Sequence, residues 1–289
     1  MREFALDTAF GTLAGLCAGR AGAPRVLALH GWLDNAASFV PLSPHLPDID
    51  LVAIDMPGHG ASAHLPIVAD YLLLAFVRSA FAAADALGWE RFALLGHSLG
   101  GVIASLMASA QPQRIERLLT IEALGALTEA EERTTQRLRD ALTAYRALPR
   151  KQLRVFPDVE TAVRARLQGG TGDLGEAAAR LLVERGLRPV HPGEADAGFV
   201  WRSDPRLTMP TAVRMSEGQS RDLVAHIECP VRVIYADPAQ NYFPDALRRQ
   251  RAALLPRGEL IVMPGSHHLH MDDAAGVAAA IGDFFTSAA

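Results

Sequence analysis

The chain reads as an α/β protein, with a mostly parallel sheet flanked by helices and interrupted by one helical insertion. Three observations carry that reading. Short apolar runs (Arg25 to Leu29, Leu51 to Ile54, Phe92 to Leu95 and Leu118 to Ile121) alternate with stretches of helical spacing. From about Gly125 to Ser216 the strand signal vanishes, and Arg, Ala, Leu and Glu dominate. The alternation then resumes at Val231. The insertion is therefore placed at 125–215, dividing a single core built from 1–124 and 216–289. At 289 residues and 49% hydrophobic content the chain is long enough to bury such a core.

Taken in order, residues 2 to 19 alternate loosely around Phe10-Gly11-Thr12, which fits two antiparallel strands at a sheet edge. The next two runs end at His30-Gly31-Trp32 and at Asp55-Met56-Pro57-Gly58-His59-Gly60, as buried strands that break into functional loops do. Between them, Ser38 to Leu46 supplies only a short helix, interrupted by Pro41 and Pro44. Asp70 is expected to cap a helix running through Leu87, with Leu73, Phe76, Val77, Phe81 and Ala84 on its apolar face and Gly88 as its stop. The run Phe92 to Leu95 leads into a helix over Val102 to Ala110, closed by Pro112, and Leu118 to Ile121 ends at Glu122. The insertion is expected to be all helical, broken at Pro149, Pro157, Gly169 to Gly172 and Pro189. After it come a strand at Val231 to Tyr235, a helix from Asp245 to Leu255, a strand at Glu259 to Met263 and a last helix. In that last helix Val277, Ile281, Phe284 and Phe285 recur on one face, with Asp272 and Asp273 near its positive end.

Composition excludes several function classes. A formal charge of −4 and a pI near 6.2 leave no basic surplus for nucleic acid. Cys17 and Cys229 stand far apart without ligand spacing, so neither a disulfide framework nor a zinc site is expected. No stretch approaches the ~20 apolar residues of a membrane helix, and the N-terminus lacks a continuous apolar leader. A soluble, cytoplasmic protein is the expectation.

The chemistry centres on Gly96-His97-Ser98-Leu99-Gly100, between a strand and a helix. Small residues on either side let the serine sit on a sharp turn, with helix N-terminal amides aimed toward its oxygen. A serine hydroxyl is a weak nucleophile near neutral pH, so it needs a base, an acid to orient that base, and donors for an oxyanion. The Leu99 amide supplies one donor, and the Trp32 amide, after the flexible Gly31, supplies the second. The base lies in Gly265-Ser266-His267-His268-Leu269-His270-Met271-Asp272, where three histidines compete. With no carboxylate or cysteine cluster of ligand spacing elsewhere, no metal and no cofactor are expected.

These motifs resemble the α/β-hydrolase superfamily over essentially the whole chain: His30-Gly31, Asp55 to Ser62, Gly96 to Gly101 and Gly265 to Asp273. Within it, His30-Gly31-Trp32-Leu33-Asp34-Asn35-Ala36-Ala37-Ser38-Phe39 and the histidine-rich tail are most similar to the serine hydrolase-like proteins. The resemblance aligns the tail with a Gly-Gly-His-x-x-His-x-Glu pattern and so implies His267 as the base. His268 is the alternative, since shifting the pattern by one residue also places an acid, Asp273, at its last position, and His270 becomes a structural or pocket residue.

The family's usual acid positions after the later strand hold Ala236 and Ala239, so the acid is sought elsewhere. Glu122 matches an arrangement seen in some haloalkane dehalogenases, and a carboxylate ending an apolar strand needs a partner. Glu122 is preferred, with Asp237 as the alternative. The resemblance gives His59 a loop-shaping role; Asp55 is expected to support neighbouring backbone, and His97, next to the serine, to be structural on the far side of the turn. Trp201-Arg202-Ser203-Asp204-Pro205-Arg206 reads mainly as solvated surface, with substrate contact as the second possibility.

The expected function is a serine hydrolase cleaving small apolar carboxylic esters or related acyl bonds through a Ser-His-Glu triad. Lactone or carbon–carbon bond hydrolysis on the same residues, or an idle ligand-binding protein, are the alternatives. A serine rather than an aspartate nucleophile disfavours the dehalogenase and epoxide hydrolase chemistries of the same fold.

Overall fold

The computed structural model describes residues 1–148, 154–169, 174–194 and 197–287; Pro149 and Gly170 to Gly172 lie outside them. The first part of the chain forms β1 (Arg2–Thr8), β2 (Gly11–Gly19), β3 (Arg25–Leu29), β4 (Asp50–Ile54), α1 (Leu73–Ala86), β5 (Phe92–His97), α2 (Leu99–Ala110) and β6 (Ile115–Ile121). The segment after Glu122 carries α3 (Thr134–Ala147), α4 (Val159–Gly169), α5 (Glu176–Gly186), β7 (Leu187–Val190) and β8 (Gly198–Trp201). The chain closes with α6 (Glu217–Ala225), β9 (Val231–Asp237), α7 (Asp245–Ala252), β10 (Gly258–Pro264), α8 (Leu269–Asp272) and α9 (Ala274–Ile281).

Eight strands form one sheet in the order β1-β2-β4-β3-β5-β6-β9-β10. Pairing is antiparallel at β1–β2 and β2–β4 and parallel across the rest. Strands β3 and β5 run through the middle, so their residues are buried on both faces, and continuous apolar runs result. The expected edge hairpin at residues 2–19 is present.

Helix α1 turns Phe76, Val77, Ala80, Phe81 and Ala84 toward the sheet, where each large side chain contributes about 1.5–3 kcal/mol of burial. It stops at Gly88, whose φ of +70° suits a residue without a side chain. Its start differs from expectation. Leu72, without a capping side chain, occupies the N-cap, and Asp70 stands before the helix, where its carboxylate instead accepts the Tyr145 hydroxyl of α3. At the other end of the chain the last helical stretch breaks in two, because Asp273 turns back to accept from the Gly276 N–H at 3.0 Å and starts α9.

The insertion is not all helical. β7 and β8 pair as an antiparallel hairpin, and Phe156 bridges to Phe199 beside it. Phe156, Ala162, Val163, Ala179, Val183 and Leu187 form a small core of their own against this hairpin. Strands of four residues, one containing Pro189, are too short for alternation to show against helical surroundings.

Arginines moor the insertion to the sheet's loops. Arg166 pairs with Asp34, and Arg185 pairs with Asp55 at 2.8 Å. The reading of Trp201 to Arg206 as solvated surface is corrected here. The Arg206 side chain is only 9% exposed, bound to Asp204 and to the carbonyls of Leu65, Pro66 and Ala69. Arg202 donates to the Leu187 carbonyl at 2.8 Å.

Candidate active site

The turn between β5 and α2 holds Ser98 at φ +50° and ψ −118°, a strained backbone for any residue with a side chain. Its neighbours permit it. A Cβ on Gly100 would stand 1.9 Å from the Leu29 carbonyl oxygen, and one on Gly96 would stand 2.5 Å from the Gly100 carbonyl. Only glycine lets α2 start this close to β3. The result is a serine hydroxyl that remains partly exposed at the C-terminal edge of the sheet.

From the loop after β10, His267 brings Nε2 to 3.0 Å from Ser98 Oγ and Nδ1 to 3.1 Å from Glu122 Oε2. A carboxylate only accepts, so Nδ1 carries the hydrogen and Nε2 offers its lone pair to the serine. Glu122 directly follows β6, with φ +58° and a fully buried carboxylate. Its Oε1 accepts from the Ala236 N–H at 2.7 Å, and its Oε2 is shared between His267 and Arg248 at 3.2 Å. Arg248, itself buried, is fixed by the Phe243 and Ala236 carbonyls and lies over the Tyr235 ring at 4.5 Å. Fully buried charge is tolerated here because it is paired and hydrogen-bonded on every side.

Asp237 stands at the exposed end of β9, and its carboxylate has no hydrogen bond or ion pair among the described residues. His268 points away from the serine, with Nε2 3.3 Å from Asp34 Oδ2. His270 is fully buried, and its Nε2 meets Ser38 Oγ at 2.7 Å. The backbone N–H groups of Trp32 and Leu99 have no partner among the described residues. The Trp32 indole is half exposed and donates to the Leu207 carbonyl at 2.9 Å, which pins it against the insertion.

Around this centre lie several histidines that do not reach the serine. Burial, reinforced by His270 and His267, holds His97 well below the ordinary histidine range, and burial does the same to His270. His97 sits under His267 and not on the far side of the turn: its Nε2 meets the His267 carbonyl at 2.9 Å. Burial also lowers His30 and pushes His59 down to about 3. Asp55 accepts from the Ala36 and Ala61 N–H groups at 2.7 and 2.8 Å, and so shapes both loops flanking it. Asp34 stays ionised although burial opposes it, because His268 and Arg166 hold its carboxyl below the usual range. Burial pushes the Cys229 thiol up to about 11, which makes it inert packing.

Two polar residues of this region carried no role in the sequence reading: Arg248 and Asp34. Arg248 belongs to an arginine-rich helix that resembles a solvated face. Asp34 lies inside the His30 to Phe39 stretch, and its burial beside histidines from 230 residues onward has no local signature.

A model of the α/β hydrolase fold matches residues 24–166. Serine hydrolase-like protein 2 of Homo sapiens is 31% identical over 98% of this chain and 93% of its own length. The chain is an α/β hydrolase, of the serine hydrolase-like group. Among solved structures, this α/β hydrolase is similar to a hypothetical protein from Pseudomonas aeruginosa PAO1, 41% identical with a TM-score of 0.89 over 97% of this chain and 96% of that one. It is also similar to a thioesterase domain from the curacin biosynthetic pathway, 26% identical with a TM-score of 0.81 over 97% and 98% of the two chains. No helix among its described residues is long and apolar enough to cross a membrane.

Proposed function

We propose that this α/β hydrolase cleaves carboxylic esters or related acyl bonds through Ser98, His267 and Glu122. The observation that carries the reading is the unbroken relay from Ser98 Oγ to His267 Nε2 and from His267 Nδ1 to Glu122. As the Ser98 oxygen attacks the substrate carbonyl, its proton passes to His267 Nε2, and the imidazolium is steadied by the Glu122 carboxylate. The carbonyl oxygen becomes an oxyanion that accepts from the free Trp32 and Leu99 amides. Collapse expels the leaving group, which takes the proton from His267, and leaves Ser98 acylated. Water, deprotonated by the same ring, then releases the acid and restores the serine.

The substrate is proposed to be a small apolar acyl compound. The likeness to a thioesterase domain adds thioesters to oxygen esters as the class to screen. The test is labelling by a fluorophosphonate probe, followed by turnover of a panel of esters, thioesters and lactones. Wild type is expected to label and Ser98→Ala not to. Labelling that survives the substitution overturns the assignment of the nucleophile. Labelling without turnover of any member of the panel overturns the proposed reaction and favours a ligand-binding role.

A further inference from the structure

We propose that Asp34, His97 and His268 form a binding site for one divalent ion of the zinc class, buried behind the loop that carries His267. The three side chains come from three elements: the loop after β3, the end of β5, and the turn before α8. Their ligand atoms all lie within 4.8 Å of one another. Asp34 Oδ2 is 3.3 Å from His268 Nε2 and 3.8 Å from His97 Nδ1. Metal–ligand bonds of about 2.0–2.2 Å at tetrahedral angles separate ligand atoms by roughly 3.4 Å, so small rotations of the rings complete the site. All three residues are nearly or fully buried, at 0%, 2% and 4% exposure for His97, Asp34 and His268.

An independent observation is the unpartnered nitrogen of His97. Its Nε2 faces the His267 carbonyl at 2.9 Å, and a carbonyl only accepts, so the ring's hydrogen sits on Nε2. Nδ1 is then a lone pair, wholly buried, without a hydrogen-bond partner among the described residues, and aimed at a carboxylate oxygen. Two acceptors facing each other at 3.8 Å repel, and a cation between them would turn that repulsion into attraction. A ring nitrogen that donates to a backbone carbonyl while the other faces inward is also how metal-bound histidines are oriented. His268 fits as well. Its Nδ1 is buried and has no partner among the described residues, so the ring hydrogen can move there and free Nε2 for the ion.

The surroundings leave two of the ligand atoms clear. A Cβ on Gly31 would stand 2.7 Å from Asp34 Oδ2 and 3.1 Å from His97 Nδ1, so glycine keeps open the space beside these two atoms. Arg166 takes the other carboxylate oxygen, Oδ1, and leaves Oδ2 as a single donor. The ion would hold His97, and through it the His267 carbonyl, independently of any reaction at Ser98.

The test uses the full chain, stripped with a chelator and titrated with Co2+ as a spectroscopic stand-in for Zn2+. Wild type is expected to develop visible d–d absorption that saturates at one equivalent, and to melt at a higher temperature with Zn2+ than without. Asp34→Asn and His268→Gln should each bind about tenfold or more weakly and lose the spectrum, whereas His226→Gln, at an exposed site, should match wild type. Circular dichroism selects the variants that fold. Should neither fold, the wild-type titration decides alone. Absence of saturable binding in folded wild type, or unchanged binding in a folded Asp34→Asn or His268→Gln protein, overturns the site.

Discussion

Glu122 touches three partners at once: the Ala236 amide, the Arg248 guanidinium and the His267 ring. Its removal therefore has two separable effects. Glu122→Gln keeps the shape, but an amide can turn its NH2 to His267 and favour the wrong tautomer, so turnover is expected to fall on the order of a thousandfold. Asp237→Asn, at an exposed and unpartnered position, should stay within about twofold of wild type, since surface changes of this kind cost under ~0.5 kcal/mol. Steady-state kinetics on the best ester of the panel checks the ranking, and the reverse order would move the acid to β9. Arg248→Met strips a buried carboxylate of its fixed cation. It is expected to destabilise the fold by about 3–5 kcal/mol in urea titration, far more than an exposed arginine such as Arg91. Ser98 and His267 stand out in the sequence through the motifs around them, whereas Glu122 stands out only as a carboxylate ending an apolar strand, with Asp237 as its rival. Arg248 does not stand out: its role depends on which carboxylate the fold places under α7, and nothing within its own helix records that.

Among the elements, the start of α2 is the most tightly constrained. Gly100→Ala would drive a methyl group into the Leu29 carbonyl, 1.9 Å from the ideal Cβ position. The expected loss is about 3 kcal/mol or more, at the top of the range for overpacking, because backbone and not a flexible side chain must yield. Gly22→Ala meets no atom within 4 Å but sits at φ +82°, so it isolates the backbone term alone and should cost about 1–2 kcal/mol. Urea melts of the two variants measure the difference, and equal losses would contradict the packing account. At this scale the parallel strands were legible as apolar runs, and so was the edge hairpin. The β7–β8 hairpin was not, since four-residue strands lie below the length at which a period of two separates from one of 3.6. The start of α1 was misread for a related reason: Asp70 has the chemistry of a cap, but Tyr145, remote in sequence, claims its carboxylate.

For the molecule as a whole, the buried histidines set how it responds to acid. His30 and His59 pack ring to ring at 5.0 Å, and the Met56 N–H donates to His30 Nε2, which a proton there would displace. Both are held below the ordinary value of 6.5, with His59 at about 3. The unfolded chain therefore binds more protons than the folded one between these limits, and stability falls as pH falls. The His59 contribution is whole above pH 6.5 and is lost toward about pH 3, and the His30 contribution is lost in the same direction. Thermal melts from pH 8 to pH 4 should show the decline begin near pH 6.5, and His59→Gln should make it shallower, with His30, His97 and His270 accounting for the remainder. A decline that begins only in the carboxylate range would assign acid sensitivity to other groups. The sequence displayed these histidines inside loop motifs, but their neutrality follows from burial, which belongs to the assembled molecule.

His97 immediately precedes the serine and holds the carbonyl of His267 at 2.9 Å. Ser98 and His267 are thus tied to one strand end, the first by the chain and the second by a hydrogen bond, so a displacement of β5 would carry both. Strand motion would then be common to both, and the 3.0 Å gap between Oγ and Nε2 would feel only what the two do not share. A catalytic distance can in this way be steadier than either of the groups that define it.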